Sequence, residues 1–130
     1  MEEKILINTL TLKIWERDFT LPIVYDCLSD GVILEEQQDA INKFIGHLEW
    51  IDKAKNIVEE YCRKYVLEDE ENQKKDNVFS YIKPEAIYVK HEAIPHVALM
   101  CKYRYDVEHG LAIVFSNKGE ITVGSEDIVI

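Results

Sequence analysis

Two short stretches concentrate the side chains best suited to acid–base or metal chemistry. The first is His91-Glu92-Ala93-Ile94-Pro95-His96, a carboxylate between two imidazoles. A helical zinc site with a glutamate base needs its histidines four residues apart, on one face. Here they are five apart, which turns the rings about 140° from one another at 3.6 residues per turn. Pro95 also opposes a helix interior, because it lacks an N–H and its ring clashes with the preceding turn. The string therefore reads as a turn between strands. The second stretch is Tyr103-Arg104-Tyr105-Asp106-Val107-Glu108-His109-Gly110-Leu111. Asp106, Glu108 and His109 could orient an imidazole or take a divalent ion, with His96 as a further ligand. The competing structural reading makes them a strand connection, with Asp106 accepting backbone amides and Gly110 permitting a tight turn. The structural reading is preferred, and no metal or cofactor is expected.

Other catalytic signatures are missing from the sequence. It has no nucleophile elbow, no phosphate-cradling glycine loop and no dinucleotide fingerprint, and its 5 glycines do not cluster. Cys27, Cys62 and Cys101 are odd in number and far apart, unlike a disulfide framework or a zinc ribbon. Each has apolar neighbours, so all three are expected as reduced core thiols, and the inward-facing Cys62 and Cys101 do not look like activated nucleophiles. Aromatic residues fall within apolar stripes instead of alternating with Lys and Arg, which argues against a sheet that stacks RNA bases.

These residues must be positioned by an α+β fold. Ile5, Ile7 and Thr9 alternate with Lys4, Leu6 and Asn8, and Leu10, Leu12 and Ile14 continue a period-two apolar pattern up to Trp15, as in strands. Glu16-Arg17-Asp18 reads as a turn. Phe19, Leu21 and Ile23 resume the alternation towards Tyr25, Pro22 suggests an edge strand, and Asp30-Gly31 reads as a turn. The middle is helical. Ile41, Phe44, Ile45 and Leu48 form one apolar stripe, and Trp50, Ile51, Ala54, Ile57, Val58, Tyr61, Cys62, Tyr65 and Val66 form another. Gly46-His47 either separates two helices or kinks one, with two helices preferred, and Glu59–Arg63 and Glu60–Lys64 are pairs one turn apart on the outer face of the second. Residues 68–77 are almost wholly polar, a solvated connection. Strands follow at Ile87-Tyr88-Val89, at Val97 to Tyr105 and at Leu111 to Phe115. Asn117-Lys118-Gly119 then forms a tight hairpin loop, with Gly119 left-handed, before a return strand through Ile121 and Val123. The expected architecture is a single domain over 1–130: a mostly antiparallel sheet with two central helices packed on one face.

The chain has 130 residues, 47% of them hydrophobic, and a formal net charge of −10. That surface repels nucleic acid and anionic membranes at long range and attracts a basic protein. No run reaches the roughly 18–20 apolar residues of a membrane span. The start Met1-Glu2-Glu3-Lys4 carries acid where an export signal carries base, so a cytoplasmic location is expected.

The tail also carries a family resemblance. Tyr105-Asp106-Val107-Glu108-His109-Gly110-Leu111, then Ile113, Phe115, Asn117 and Gly119, then Val123-Gly124-Ser125-Glu126-Asp127-Ile128, is similar to a family of uncharacterised bacterial domains. Members end in an aromatic-Asp-x-Glu-His-Gly-Leu strand-turn, a short hairpin and a Val-Gly-x-x-Asp close. Glu35-Glu36-Gln37 and Ile82-Lys83-Pro84-Glu85-Ala86-Ile87-Tyr88 agree with it, so the resemblance covers most of residues 30–130. Leu34 departs from it, standing where a Ser or Thr helix cap is expected. The resemblance implies no enzymology; domains of this kind look like immunity or accessory proteins of polymorphic toxin systems. The expectation is thus a non-enzymatic protein-binding domain, in its sharpest form an immunity protein for a basic toxin domain, with Glu68, Asp69, Glu70 and Glu71 as first contact residues. The alternatives are a metal-binding or hydrolytic domain using Asp106, Glu108 and His109, and a self-associating structural or regulatory subunit.

Overall fold

The computed structural model describes residues 8–27, 31–65, 82–104 and 107–129. The expected strands at Ile5 and Ile7, the Asp30 half of the Asp30-Gly31 turn and the polar connection over 68–77 lie outside these residues.

Strands β1 (Thr9–Ile14) and β2 (Arg17–Tyr25) form a hairpin. Helices α1 (Glu35–Ile45) and α2 (Glu49–Tyr65) follow, then β3 (Ile82–Val89), β4 (Val97–Tyr103), β5 (Leu111–Phe115) and β6 (Ile121–Gly124), and a short 3-10 turn at Glu126–Ile128. The six strands lie side by side in sequence order. Every neighbouring pair is antiparallel except β2–β3. Parallel neighbours need a long crossover, and the helical pair supplies it. This is the expected α+β sheet with two helices, split by a turn at Gly46 to Leu48.

One face of the sheet carries the main core. Ile23, Ile87, Leu99, Ile113 and Val123 lie opposite one another across five strands. Ile41 and Phe44 of α1, and Ile51, Ala54, Val58 and Cys62 of α2, pack on that side. The Phe44 and Phe115 rings meet at 5.2 Å. The predicted stripe of α2 is too wide at one position: Ile57 is exposed, because the neighbouring Ala54 and Val58 already fill the line facing the sheet. Cys27 likewise differs from the core thiol expected of it. It is only half-buried and donates to the Tyr25 carbonyl at 3.3 Å, whereas Cys62 and Cys101 are buried.

The first hairpin turns one residue earlier than the charged trio suggests. Trp15 (φ 48°) and Glu16 (φ 73°) form its two-residue loop, and Arg17 and Asp18 already belong to β2. Both loop positions of such a hairpin need positive φ, which Gly or Asn normally provides. Trp15 tolerates it because its ring is buried and its indole N–H donates to the Ile51 carbonyl at 3.1 Å.

Two prolines sit in interior strands, so Pro22 does not mark an edge. Ile23 N–H donates to Asn8 on the β1 side, so by alternation the Pro22 nitrogen faces β3, where pairing begins only at Ile23. Before Ile23 β2 forms no registered pair with β3, and the Arg17 guanidinium reaches the Ile82 carbonyl at 3.3 Å. In β3 the register slips between Pro84 and Ala86, leaving Glu85 as a bulge. The bulge changes which positions face inward, from Ile82 and Pro84 to Ile87 and Val89.

Gly119 has the expected left-handed conformation, with φ of 83°. Its hairpin is tied by the Ser116 hydroxyl, which accepts from the Lys118 and Glu120 amides at 3.2 and 3.0 Å. A Cβ at 119 would also stand 2.8 Å from the Trp50 indole. Gly119→Ala is therefore expected to destabilise the fold by about 2–4 kcal/mol, combining left-handed strain with overpacking. Gly31→Ala, where φ is 70° but nothing lies within 4 Å, should lose only about 1 kcal/mol. Urea unfolding checks both; equal losses would show that contact with Trp50 contributes nothing.

Candidate functional site

The strand directions bring four features to one end of the sheet: the exit of β2, the start of α1, the loop after β3 and the β5–β6 hairpin. The exit of β2, the end of β3 and the start of α1 meet at Gln37, a fully buried polar side chain. Its Oε1 accepts from Leu34 N–H at 2.8 Å. This is the back-reaching half of a capping box, and it starts the helix at Glu35 without a Ser or Thr cap. Its Nε2 donates to the Asp26 carbonyl at 2.7 Å and the Val89 carbonyl at 3.1 Å. Asp26 N–H donates to the same Val89 carbonyl at 2.9 Å.

The loop after β3 consists of bends, not helix, as Pro95 predicts. Glu92 Oε1 pairs with His96 Nδ1 at 3.0 Å, and both side chains are partly exposed. His96 turns to the glutamate within the string, and no metal-holding group forms there among the described residues. Pro95 is buried beside Phe44, Trp50 and Phe115, while the preceding Ile94 is 63% exposed. The loop is thereby fixed at Pro95 and projects its neighbour outward.

A cleft lies on each side of this loop. On the helical side, Glu36, Asp39, Lys43, Ile94, Pro95 and Asn117 line a space of about 230 Å³. Glu36 and Asp39 are exposed and make no ion pair among the described residues. The helix dipole accounts for acid in the first turn, at Glu35 and Glu36, but fades before Asp39. On the helix-free side, Lys90, Glu92, His96, Val114, Thr122 and Ile128 line a groove of about 250 Å³.

The other predicted site lies at the opposite end of the sheet. Glu108 and His109 are exposed in a turn, and the His109 carbonyl accepts Glu126 N–H at 2.8 Å. Gly110 (φ 61°) is needed as expected: a Cβ there would stand 2.7 Å from the Cys101 carbonyl. Asp106 lies outside the described residues, as do Glu68, Asp69, Glu70 and Glu71. Among the described residues no group of three or more His, Cys, Asp or Glu could hold a metal ion. The buried thiols are poor nucleophiles. Burial pushes Cys62 up to about 11, against a smaller opposing effect of the Tyr103 hydroxyl, and raises Cys101 as well.

Sequence reasoning placed the loop correctly but missed Gln37, Glu36, Asp39 and Ile94 as a group. A glutamine three residues after the helix start is a readable cap signal; the exposure of Ile94 has no sequence signal at all.

The chain belongs to a family defined as a domain of unknown function (DUF6985), whose model matches residues 4–130. No curated protein and no solved structure matches it. No helix among the described residues is long and apolar enough to cross a membrane.

Asp26 also bears on the helix-free face, because its carboxylate acts on the Tyr88 phenol. Burial first, and the neighbouring Asp26 carboxylate second, push that phenol up to about 12 from 10.0. Folding therefore favours the protonated phenol. Its contribution is complete below pH 10 and is lost as pH rises from about 10 to about 12. Ultraviolet titration should show a late-ionising tyrosine component that disappears in Tyr88→Phe and moves earlier in Asp26→Asn. A titration unchanged by both variants would contradict the contact.

Proposed function

We propose that this is a non-enzymatic protein-binding domain that docks a basic partner in the cleft between α1 and the β3–β4 loop. The observation that carries this reading is Ile94, a large apolar side chain 63% exposed on a loop anchored by buried Pro95, facing a cleft whose rim carries Glu36, Asp39 and Lys43, with no ion pair to either carboxylate among the described residues. An apolar anchor within a charged rim is the usual anatomy of a protein interface. The net charge of −10 adds long-range attraction for a cationic protein and opposes binding to nucleic acid. The burial of the Cys62 and Cys101 thiols, and a His96 ring bonded to the half-buried Glu92, support the non-catalytic side of the reading.

Toxin neutralisation is its sharpest form. A basic toxin domain would supply Lys or Arg for Glu36 and Asp39, and an apolar surface for Ile94. The domain would act in the cytoplasm, where free cysteines stay reduced.

A photo-crosslinking residue placed at Ile94, in the cells the protein comes from, should capture one predominant basic protein. Capture should weaken at high salt and fall about tenfold or more with Glu36→Lys and Asp39→Lys together, the loss of roughly 1.4 kcal/mol or more from two charge contacts. The same products from a crosslinker at Lys83, an exposed position at the far end of β3, would contradict the proposal, as would capture indifferent to salt and to the charge reversals.

A further inference from the structure

The sheet has two edges, and they differ in how they are protected. β6 covers only Ile121–Gly124 and runs into the turn at Glu126–Ile128, and so short an edge offers little to another strand. β1 is longer, Thr9–Ile14, and among the described residues no strand lies beyond it. It contains no proline, and its register with β2 runs without a bulge. Proline, a bulge and lysine are the devices that usually close an edge, and of these β1 has only Lys13.

The backbone of β1 is presented in a regular way. Ile23 N–H donates to the Asn8 carbonyl at 2.7 Å. Hydrogen-bonded positions alternate along an antiparallel pair, so Leu10, Leu12 and Ile14 bond to β2. The N–H and C=O groups of Thr9, Thr11 and Lys13 therefore point out of the sheet, and these residues are exposed. Charge leaves this edge approachable for another copy. The chain carries a net −10, but in the hairpin over 9–25 Lys13 and Arg17 balance Glu16 and Asp18. A second molecule, repelled elsewhere by like charge, meets no net charge here.

We infer that β1 binds a second copy of this chain, edge to edge, in an antiparallel two-fold arrangement centred on Thr11. This register uses every outward position: Thr9 lies opposite the partner's Lys13, Thr11 opposite the partner's Thr11, and Lys13 opposite the partner's Thr9. Each pair exchanges both backbone hydrogen bonds. No like charges face each other, because Lys13 meets threonine. On the core side Leu10, half-buried in one copy, comes opposite the partner's Leu12, so the apolar row continues across the junction. The same patch on both copies gives a closed dimer and not a fibre. The cleft beside α1 contains no β1 residue, so this assignment stands or falls separately from the docking reading.

Light scattering of the whole chain from about 1 μM to 1 mM should show a mass rising from 15.2 kDa towards twice that value and stopping there. Amide exchange at Thr9, Thr11 and Lys13 should slow over the same range. Thr11→Pro removes the central donor, a change that an edge strand tolerates, and should leave a folded monomer at every concentration. Thr9→Glu and Thr9→Lys give the sharper comparison. Glutamate opposite Lys13 should tighten the dimer about threefold or more, although it makes the chain more acidic, and lysine should loosen it by as much. Thr11→Cys should form an intermolecular disulfide under mild oxidation, beyond any formed by the unaltered chain, whereas Thr9→Cys should not. A monomer throughout, or growth past a dimer, would overturn the inference. So would exchange at those amides that is slow at every concentration, the sign of an edge already covered within one copy. Weakening of the dimer by Thr9→Glu would overturn it as well.

Discussion

The parallel junction between β2 and β3 is the constraint on which the rest of this structure depends. Its register runs only from Ile23–Ile87 to Tyr25–Val89, yet it must hold together a hairpin and a four-stranded meander separated by two helices. Parallel pairing is slightly weaker per residue than antiparallel, and a long crossover adds closure entropy. Gln37 offsets this weakness from the helical side, with three hydrogen bonds that reach the exit of β2, the end of β3 and the start of α1. A buried amide without partners would cost several kcal/mol; bonded at both ends, it favours one arrangement of the three elements.

That node also sets the geometry of the candidate site. The β3–β4 loop leaves directly from Val89, whose carbonyl takes two of the junction's hydrogen bonds. The first turn of α1, which carries Glu36, starts from the amide that Gln37 caps. Both clefts therefore border one loop whose two attachments, Val89 at its base and Pro95 within it, are fixed by buried contacts. Sites placed on loops are adaptable, but such anchoring limits how far Ile94 and His96 can move.

Much of the fold was legible in the sequence, because periodicity reports burial directly. The helices, their break at Gly46, the strand faces of β4 and the Gly119 hairpin follow from spacings of two and of three to four. What was not legible has specific physical causes. Trp15 and Glu16 adopt a turn conformation that their side chains disfavour, stabilised by burial against α2, which local sequence cannot show. Pro22 and Pro84 occupy interior strands at positions where β2 and β3 form no registered pair, which local sequence cannot show. Ile57 sits within the apolar spacing yet faces outward. At the site, His-rich and acid-rich strings drew attention by composition, whereas the arrangement at the sheet end depends on Gln37, Asp39 and Ile94, which are unremarkable one by one.

The account depends on Gln37 as the tie between α1 and the parallel junction, and amide hydrogen exchange in Gln37→Met tests it most directly. Methionine keeps the length of the side chain and removes its three hydrogen bonds. Protection at the Asp26 and Leu34 amides should fall by about tenfold or more beyond any global loss, which corresponds to roughly 1.4 kcal/mol of local opening. Amides of β4 and β5 should change only with overall stability. Unaltered protection at Asp26 and Leu34 in a folded variant would contradict the claim that this side chain holds the site end of the sheet together.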